Sequence, residues 1–255
     1  MAIARNGELQ ITPQDVLLVI DLQNDFCPGG ALAVADGDAV LDPIHRLAPK
    51  FDHIVLTQDW HTAGHSSFAS AHAGKKPFEQ IEMGYGMQTL WPDHCIQGSK
   101  GAEFHPALRL PQAQLILRKG FRPQIDSYSA FFENDRSTAT GLAGYLRERN
   151  LIRVFLAGLA YDFCVGYSAL DARRLGFEAI ILLDACRTID LNGSVEKIES
   201  EFAEAGVVLM DSADVINDAD VEEAIRQGQE DASQGKIRSA KEFFDEFETT
   251  HPELE

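Results

Sequence analysis

Six short runs of mainly aliphatic and β-branched residues, at 16–21, 53–57, 114–118, 153–157, 179–183 and 207–210, alternate with amphipathic segments near 37–48, 137–149, 163–175 and 194–205. A strand that is apolar throughout needs cover on both faces. Helices crossing between parallel strands provide that cover, whereas a half-exposed antiparallel sheet would alternate polar with apolar. The sequence therefore predicts an α/β protein of three layers, α/β/α, around a doubly wound, mainly parallel six-stranded sheet. At 255 residues the chain is long enough for one large domain with a substantial core.

Two regions break the alternation. Residues 59–111 are rich in Gly, His and Pro and show no helical pattern, and a long irregular segment of this kind in a compact domain is usually functional. Beyond residue 212 the chain becomes strongly acidic. The periodicity there predicts two helices, at 218–229 and 239–247, the second with a stripe of Phe243, Phe244 and Phe247. We divide the chain accordingly into a domain at 1–212 and an acidic helical extension at 213–255, expected to pack on that domain or on a partner subunit of a homo-oligomer.

Forty acidic against 22 basic side chains give a net charge of −18, which argues against nucleic acid or an anionic membrane as partner. No run approaches the roughly 18 apolar residues of a membrane span, and the first ten residues lack an apolar signal core, so a cytoplasmic location is expected. The four cysteines, Cys27, Cys95, Cys164 and Cys186, have neither paired zinc spacing nor the density of a disulfide scaffold.

Open parallel sheets bind ligands beyond the carboxyl ends of their strands. The first strand ends at Asp21, the second runs into Asp59-Trp60-His61, the third into Lys119-Gly120, and the fourth leads to Cys164 at the start of a helix. Singly, each has an ordinary reading: a turn aspartate, a solvated lysine, a small buried thiol. Together they make a nucleophile, a base for its proton and a cation for both. Helix-terminal N–H groups near Ala160 and Cys164 could hold an oxyanion and would favour thiolate at Cys164. Asp59 and His61, at alternate positions of an extended segment, point the same way, as metal ligands must. An oxygen-and-imidazole set without thiolate suits zinc, iron(II) or manganese.

The runs Asp21-Leu-Gln-Asn-Asp-Phe-Cys-Pro-Gly-Gly, Thr57-Gln-Asp-Trp-His, Leu90-Trp-Pro-Asp-His-Cys, Lys119-Gly and Gly158-Leu-Ala-Tyr-Asp-Phe-Cys-Val, in that order, resemble the nicotinamidases within the isochorismatase-like cysteine hydrolases. The resemblance spans about residues 15 to 212. It implies hydrolysis of nicotinamide, and of pyrazinamide, as a step of NAD salvage. It implies Asp21 as base, Lys119 as its cationic partner and Cys164 as nucleophile, with the backbone N–H groups of Ala160 and Cys164 as oxyanion hole. Asp59, His61 and His94 would bind one divalent metal ion, zinc first, with iron or manganese as alternatives. His65 aligns with a ligand found in some relatives only. Phe26 and Trp91 would flank the pyridine ring, Leu159 and Tyr161 would line the pocket, and the Leu159–Ala160 peptide would be cis. Tyr161 departs from the threonine common in relatives.

Three rival readings remain on the sequence. A metal-water hydrolase would make Cys164 structural. An isochorismatase or carbamoyl-amide hydrolase would generally lack the Asp-x-His pair, and a non-catalytic binding protein would have no need of Asp21, Lys119 and Cys164 together.

Overall fold

The computed structural model describes residues 9–216 together with 226, 227 and 230. The central sheet has six strands: β1 (Asp15–Ile20), β2 (Ile54–Asp59), β3 (Leu115–Lys119), β4 (Arg153–Leu159), β5 (Glu178–Arg187) and β6 (Val208–Met210). Every neighbouring pair is parallel, and the order across the sheet is β3-β2-β1-β4-β5-β6. The three-layer doubly wound class expected from the alternation is the one observed. This order has its switch point between β1 and β4, where crossovers leave in opposite directions and a crevice opens at the carboxyl ends.

Helix α1 (Leu41–Leu47) covers one face; α2 (Leu142–Glu148), α3 (Gly166–Arg174) and α4 (Ser194–Ala205) cover the other. The pleat of β1 divides the core accordingly. Leu17 and Val19 pack with Ile44 and Leu47 of α1, while Val16, Leu18 and Ile20 pack with Leu146, Ala169 and Phe202. In α4, Ile198 and Phe202 stand one turn apart and are the buried stripe of an otherwise polar helix. Burying each contributes roughly 1.5–3 kcal/mol. β3 is an edge strand and alternates in exposure, with Ile116 turned to solvent, while its neighbour β2 and the next strand, β1, are buried at every position.

Three expected helices are shorter than the periodicity suggested. The segment at 37–48 is α-helical only over Leu41–Leu47, with 3₁₀ turns before and after it. At 137–149 the helix is delayed until Leu142. Asp135 ties up the N–H groups of Ser137 and Thr138 in a local turn, and Gly141 adopts a left-handed conformation. At 163–175 the chain first makes a π-helical turn, Tyr161–Val165, before α3 begins. The segment expected at 194–205 is observed with those bounds. Residues 59–111 have no α-helix, and carry a hairpin of Gln80–Met83 and Gly86–Thr89 that the sequence did not announce. Of the acidic helix expected at 218–229 only residues 226 and 227 are described, both helical, and the helix expected at 239–247 falls outside the described residues.

One backbone contact sets the spacing at the switch point. Gly158, in β4 opposite Ile20 of β1, has φ +119°, and a Cβ there would stand 2.1 Å from the Ile20 carbonyl oxygen. Only glycine permits this approach. The β4–β5 register shifts between Leu156 and Gly158, and the Leu159–Ala160 peptide is cis, as the resemblance implied.

Candidate active site

The carboxyl ends of β3, β2, β1 and β4 stand side by side and deliver Lys119, Asp59, Asp21 and, one turn later, Cys164 to one rim. Lys119 is wholly buried. Its ammonium lies 2.8 Å from Asp21 Oδ2 and 3.2 Å from Asp59 Oδ1, and it donates to the Ser127 carbonyl at 2.9 Å and to Cys164 Sγ at 3.4 Å. An unpaired buried charge would be expensive. Here one cation faces two carboxylates, so ionised forms persist.

Asp21 takes a left-handed conformation at the end of β1, with φ 48°, which turns its carboxylate back over the strand end. The Thr57 hydroxyl donates to Asp21 Oδ1 at 2.6 Å and itself accepts from the Asp21 N–H at 3.1 Å. Oδ2, beside the ammonium, takes no well-angled hydrogen bond and is the oxygen free to accept a proton. Burial pushes the Asp21 carboxyl up from its ordinary value, against the pull of Lys119. Burial also disfavours the Lys119 ammonium, but Asp21 and Asp59 outweigh it and hold the lysine well above its usual range.

The expectation of a thiolate at Cys164 is corrected. Burial lifts the thiol well above its ordinary value; Lys119 pulls it down, but the charges of Asp21 and Asp59 add to the rise. One ammonium is already shared by two carboxylates, and a third anion is disfavoured. These charges favour the neutral thiol, and Asp21, which shares the Lys119 ammonium with Cys164, is the carboxylate placed to take its proton.

Asp59, His61 and His94 form the second cluster, all buried, with ligand atoms within 4.8 Å of one another. The Nε2 atoms of His61 and His94 stand 2.9 and 3.3 Å from the same oxygen, Asp59 Oδ2. Each imidazole uses Nδ1 toward a backbone carbonyl, His61 to Gly120 at 2.9 Å and His94 to Pro92 at 2.8 Å. A proton fixed on Nδ1 leaves the Nε2 lone pair directed at the common point, which is how histidine ligands are commonly held. These donors fit a divalent cation. Gly120 makes room for this: a Cβ there would meet the His61 ring at 2.6 Å, and its φ of +66° suits glycine.

His65 is placed differently. Its Nε2 faces the Arg122 carbonyl at 2.7 Å and its Nδ1 faces the Ser67 hydroxyl at 2.8 Å, so both nitrogens are engaged. Its ring lies 4.5 Å from that of His61, and a looser grouping of His61, His65 and Asp126 also has ligand atoms within 4.8 Å. Asp59, His61 and His94 make the better site because their free lone pairs converge.

A cleft opens above Cys164, lined by Phe26, Trp91, His94, Tyr128, Ala160 and Phe163. Phe26 meets His94 edge-on at 5.4 Å between centroids, and Trp91 meets Phe163 at 5.0 Å, nearly perpendicular. The aromatic side chains give the cleft apolar walls of the kind a planar ring packs against. Leu159 and Tyr161, expected in the pocket, are not in its walls. Leu159 is fully buried in the α1-side core, and Tyr161 packs against Phe202 and donates to Glu199 Oε1 at 3.0 Å. The π-turn is the reason: it rotates successive side chains differently from a 3.6-residue helix, so Tyr161 faces α4 and Phe163 takes the wall. Ala160 keeps its place, and its carbonyl accepts from Phe163 N and Val165 N at 3.0 and 3.1 Å, neither bond using the N–H of Cys164. Sequence reasoning missed Tyr128 and Phe163. Tyr128 lies on irregular backbone, where no periodicity marks a direction, and Phe163, adjacent to the nucleophile candidate, lies in the π-turn, which a 3.6-residue period does not describe.

The sequence matches the Isochorismatase domain family over residues 15–214. A nicotinamidase of Acinetobacter baylyi is 52% identical over 200 residues, which are 78% of this chain and 94% of that protein. Among solved structures, an Acinetobacter baumanii nicotinamidase/pyrazinamidase is 54% identical with a TM-score of 0.79, over 80% of this chain and 98% of that one. L. infantum PnC1 in complex with nicotinate is 39% identical with a TM-score of 0.72, over 82% and 99%. A Pyrococcus horikoshii pyrazinamidase in complex with zinc is 33% identical with a TM-score of 0.63, over 78% and 99%.

Proposed function

The chain belongs to the isochorismatase domain family, and from that premise we propose that it is a nicotinamidase, hydrolysing nicotinamide to nicotinate and ammonia, with pyrazinamide as a second substrate and a place in NAD salvage. The observation that carries this reading is the Lys119 ammonium, 2.8 Å from Asp21 and 3.4 Å from Cys164 beneath an aromatic slot.

In this reading Phe26, Trp91, Tyr128 and Phe163 enclose the ring and exclude water. Asp59, His61 and His94 would hold a divalent metal ion, zinc or alternatively iron or manganese, which when bound supplies a Lewis-acidic anchor for the ring nitrogen. Held by its ring, the substrate presents its carboxamide carbon to Sγ. Asp21 Oδ2 takes the thiol proton as the C–S bond forms, and a raised carboxyl pKa makes it a better base for that task than an ordinary aspartate. The oxyanion lies toward the N–H groups of Ala160 and Cys164. Asp21 returns the proton to the departing nitrogen, the C–N bond breaks, and a thioester remains. Water adds to it, its proton again taken by Asp21, and the C–S bond breaks to release the acid and restore the thiol. Lys119 keeps its charge throughout and offsets whichever of Asp21 or Cys164 is anionic.

The test is ammonia release from nicotinamide by the purified protein, beside Cys164→Ala and beside protein stripped of metal by chelator. We expect release by the unaltered protein, loss on chelation with recovery on adding zinc, iron or manganese, and a fall on the order of 10⁴-fold for Cys164→Ala. Substantial turnover by Cys164→Ala would sink the thioester route in favour of metal-activated water.

A further inference from the structure

Gln88 lies at the end of the hairpin, outside every group assigned a role above, yet it is a polar side chain with no solvent exposure. Its two amide hydrogens are shared among three acceptors, and its oxygen takes two donors. Nε2 stands 2.7 Å from the Thr89 carbonyl, 2.8 Å from Asp126 Oδ2 and 3.1 Å from the Tyr128 hydroxyl. Oε1 accepts from the Tyr85 hydroxyl and from Asn134 Nδ2, both at 3.1 Å. A carbonyl and a carboxylate on one end and two donors on the other leave a single sensible orientation of the amide. A fully satisfied buried network of this kind specifies one arrangement of the groups it joins.

Those groups belong to both halves of the site. The Tyr128 hydroxyl also accepts from Trp91 Nε1 at 3.1 Å, so Gln88 reaches two aromatic walls of the slot through one oxygen. Tyr128 in turn packs against Phe163 at 5.6 Å between centroids. On the other side Asp126, whose Oδ1 accepts from the Ser127 N–H at 2.8 Å, stands 3.8 Å from His61 Nε2. The following residue, Ser127, gives its carbonyl to Lys119. Met87, the neighbouring residue, is 64% exposed, so Gln88 lies on the side of the strand that meets the site.

We propose that Gln88 is a positioning residue for ring binding: through the Tyr128 hydroxyl it holds Tyr128 and Trp91 at the separation a pyridine carboxamide requires. This rests on the nicotinamidase reading. The walls contact the ring equally in the ground state and the transition state, so loosening them weakens binding uniformly, raising KM while leaving kcat nearly unchanged.

The experiment compares Gln88→Met, which keeps length and removes the amide, with Tyr128→Phe and the double variant, reading KM and kcat for nicotinamide and the Kd of nicotinate by calorimetry. For Gln88→Met we expect KM and Kd to rise about tenfold with kcat within about threefold. Tyr128→Phe should give a similar but smaller rise, and the double variant should be no worse than Gln88→Met alone, because both cut one chain of contacts. A folded Gln88→Met with unchanged KM and Kd, or a fall confined to kcat, overturns the proposal, as do independent, multiplying effects in the double variant. Should Gln88→Met fail to fold, Tyr128→Phe decides, since it breaks the same link without unpairing Asp126: a raised KM supports positioning and an unchanged KM refutes it. Absence of ammonia release from the unaltered protein is a different failure, that of the nicotinamidase reading itself, and leaves the nicotinate Kd comparison to judge Gln88.

Discussion

The reacting groups and the walls around them are built from different parts of the chain. Asp59 and Lys119 are the last, mutually paired residues of two adjacent parallel strands, and Asp21 directly follows Ile20, the last paired residue of the next strand. Trp91 and Tyr128 hang on irregular backbone, held by side-chain hydrogen bonds and ring contacts. Chemistry that depends on sub-ångström placement is carried by the sheet; contact with a ring, which tolerates adjustment, is left to loops. Damage to the first region should therefore appear in kcat and stability together, and damage to the second in KM.

The sharpest way to break that contrast is Lys119→Ala. It leaves the buried carboxylates of Asp21 and Asp59 facing each other without their cation, and we expect a loss of about 3–5 kcal/mol in denaturant unfolding and of ammonia release beyond detection. Near-normal stability would mean that one carboxylate is protonated in the folded state. Next is Gly120→Ala, whose methyl must displace the His61 ring; zinc affinity, measured by competition with a chromogenic chelator, should fall about 10–100-fold.

Glu133 tests electrostatics away from the reacting groups. Burial first of all, against the opposing charges of Arg122 and Lys119, lifts its pKa from 4.5 to about 7. Because the folded state binds the proton more tightly, stability falls as pH rises from about 4.5 toward 7 and stays lower above it. Glu133→Gln should equal the unaltered protein in urea unfolding at pH 4 and exceed it at pH 8 by about 1 kcal/mol, allowing for partial solvent screening. The smallest effect is expected at Tyr161→Phe, which removes the bond to Glu199 but touches no wall. Stability should drop about 1 kcal/mol and kcat/KM stay within twofold. A large kinetic change would return Tyr161 to the pocket.

The same contrast governs what could be read from sequence. The four strand ends were legible because near-continuous apolar runs such as residues 16–20 have a definite terminus, and whatever polar residue follows must emerge at the rim. His94 was reached through motif resemblance alone, since the loop around it has no period. Tyr161 was assigned to the pocket through the resemblance, whereas the five-residue π-turn carries its side chain toward α4. Gln88 gave no signal at all: a glutamine in a hairpin reads as a solvated residue, and only the fold shows it enclosed.

Gly158 gives the rim a further property. Its missing side chain lets β4 approach the Ile20 carbonyl, and the π-turn that follows β4 carries Cys164 while the residue after Ile20 is Asp21. The distance between nucleophile and base is thus gauged by the thickness of a bare backbone, like a shim of fixed width between two machined parts. Any residue with a Cβ at 158 would widen that gap, so the spacing of the reacting pair is written into the sheet itself, before either reacting side chain is in place.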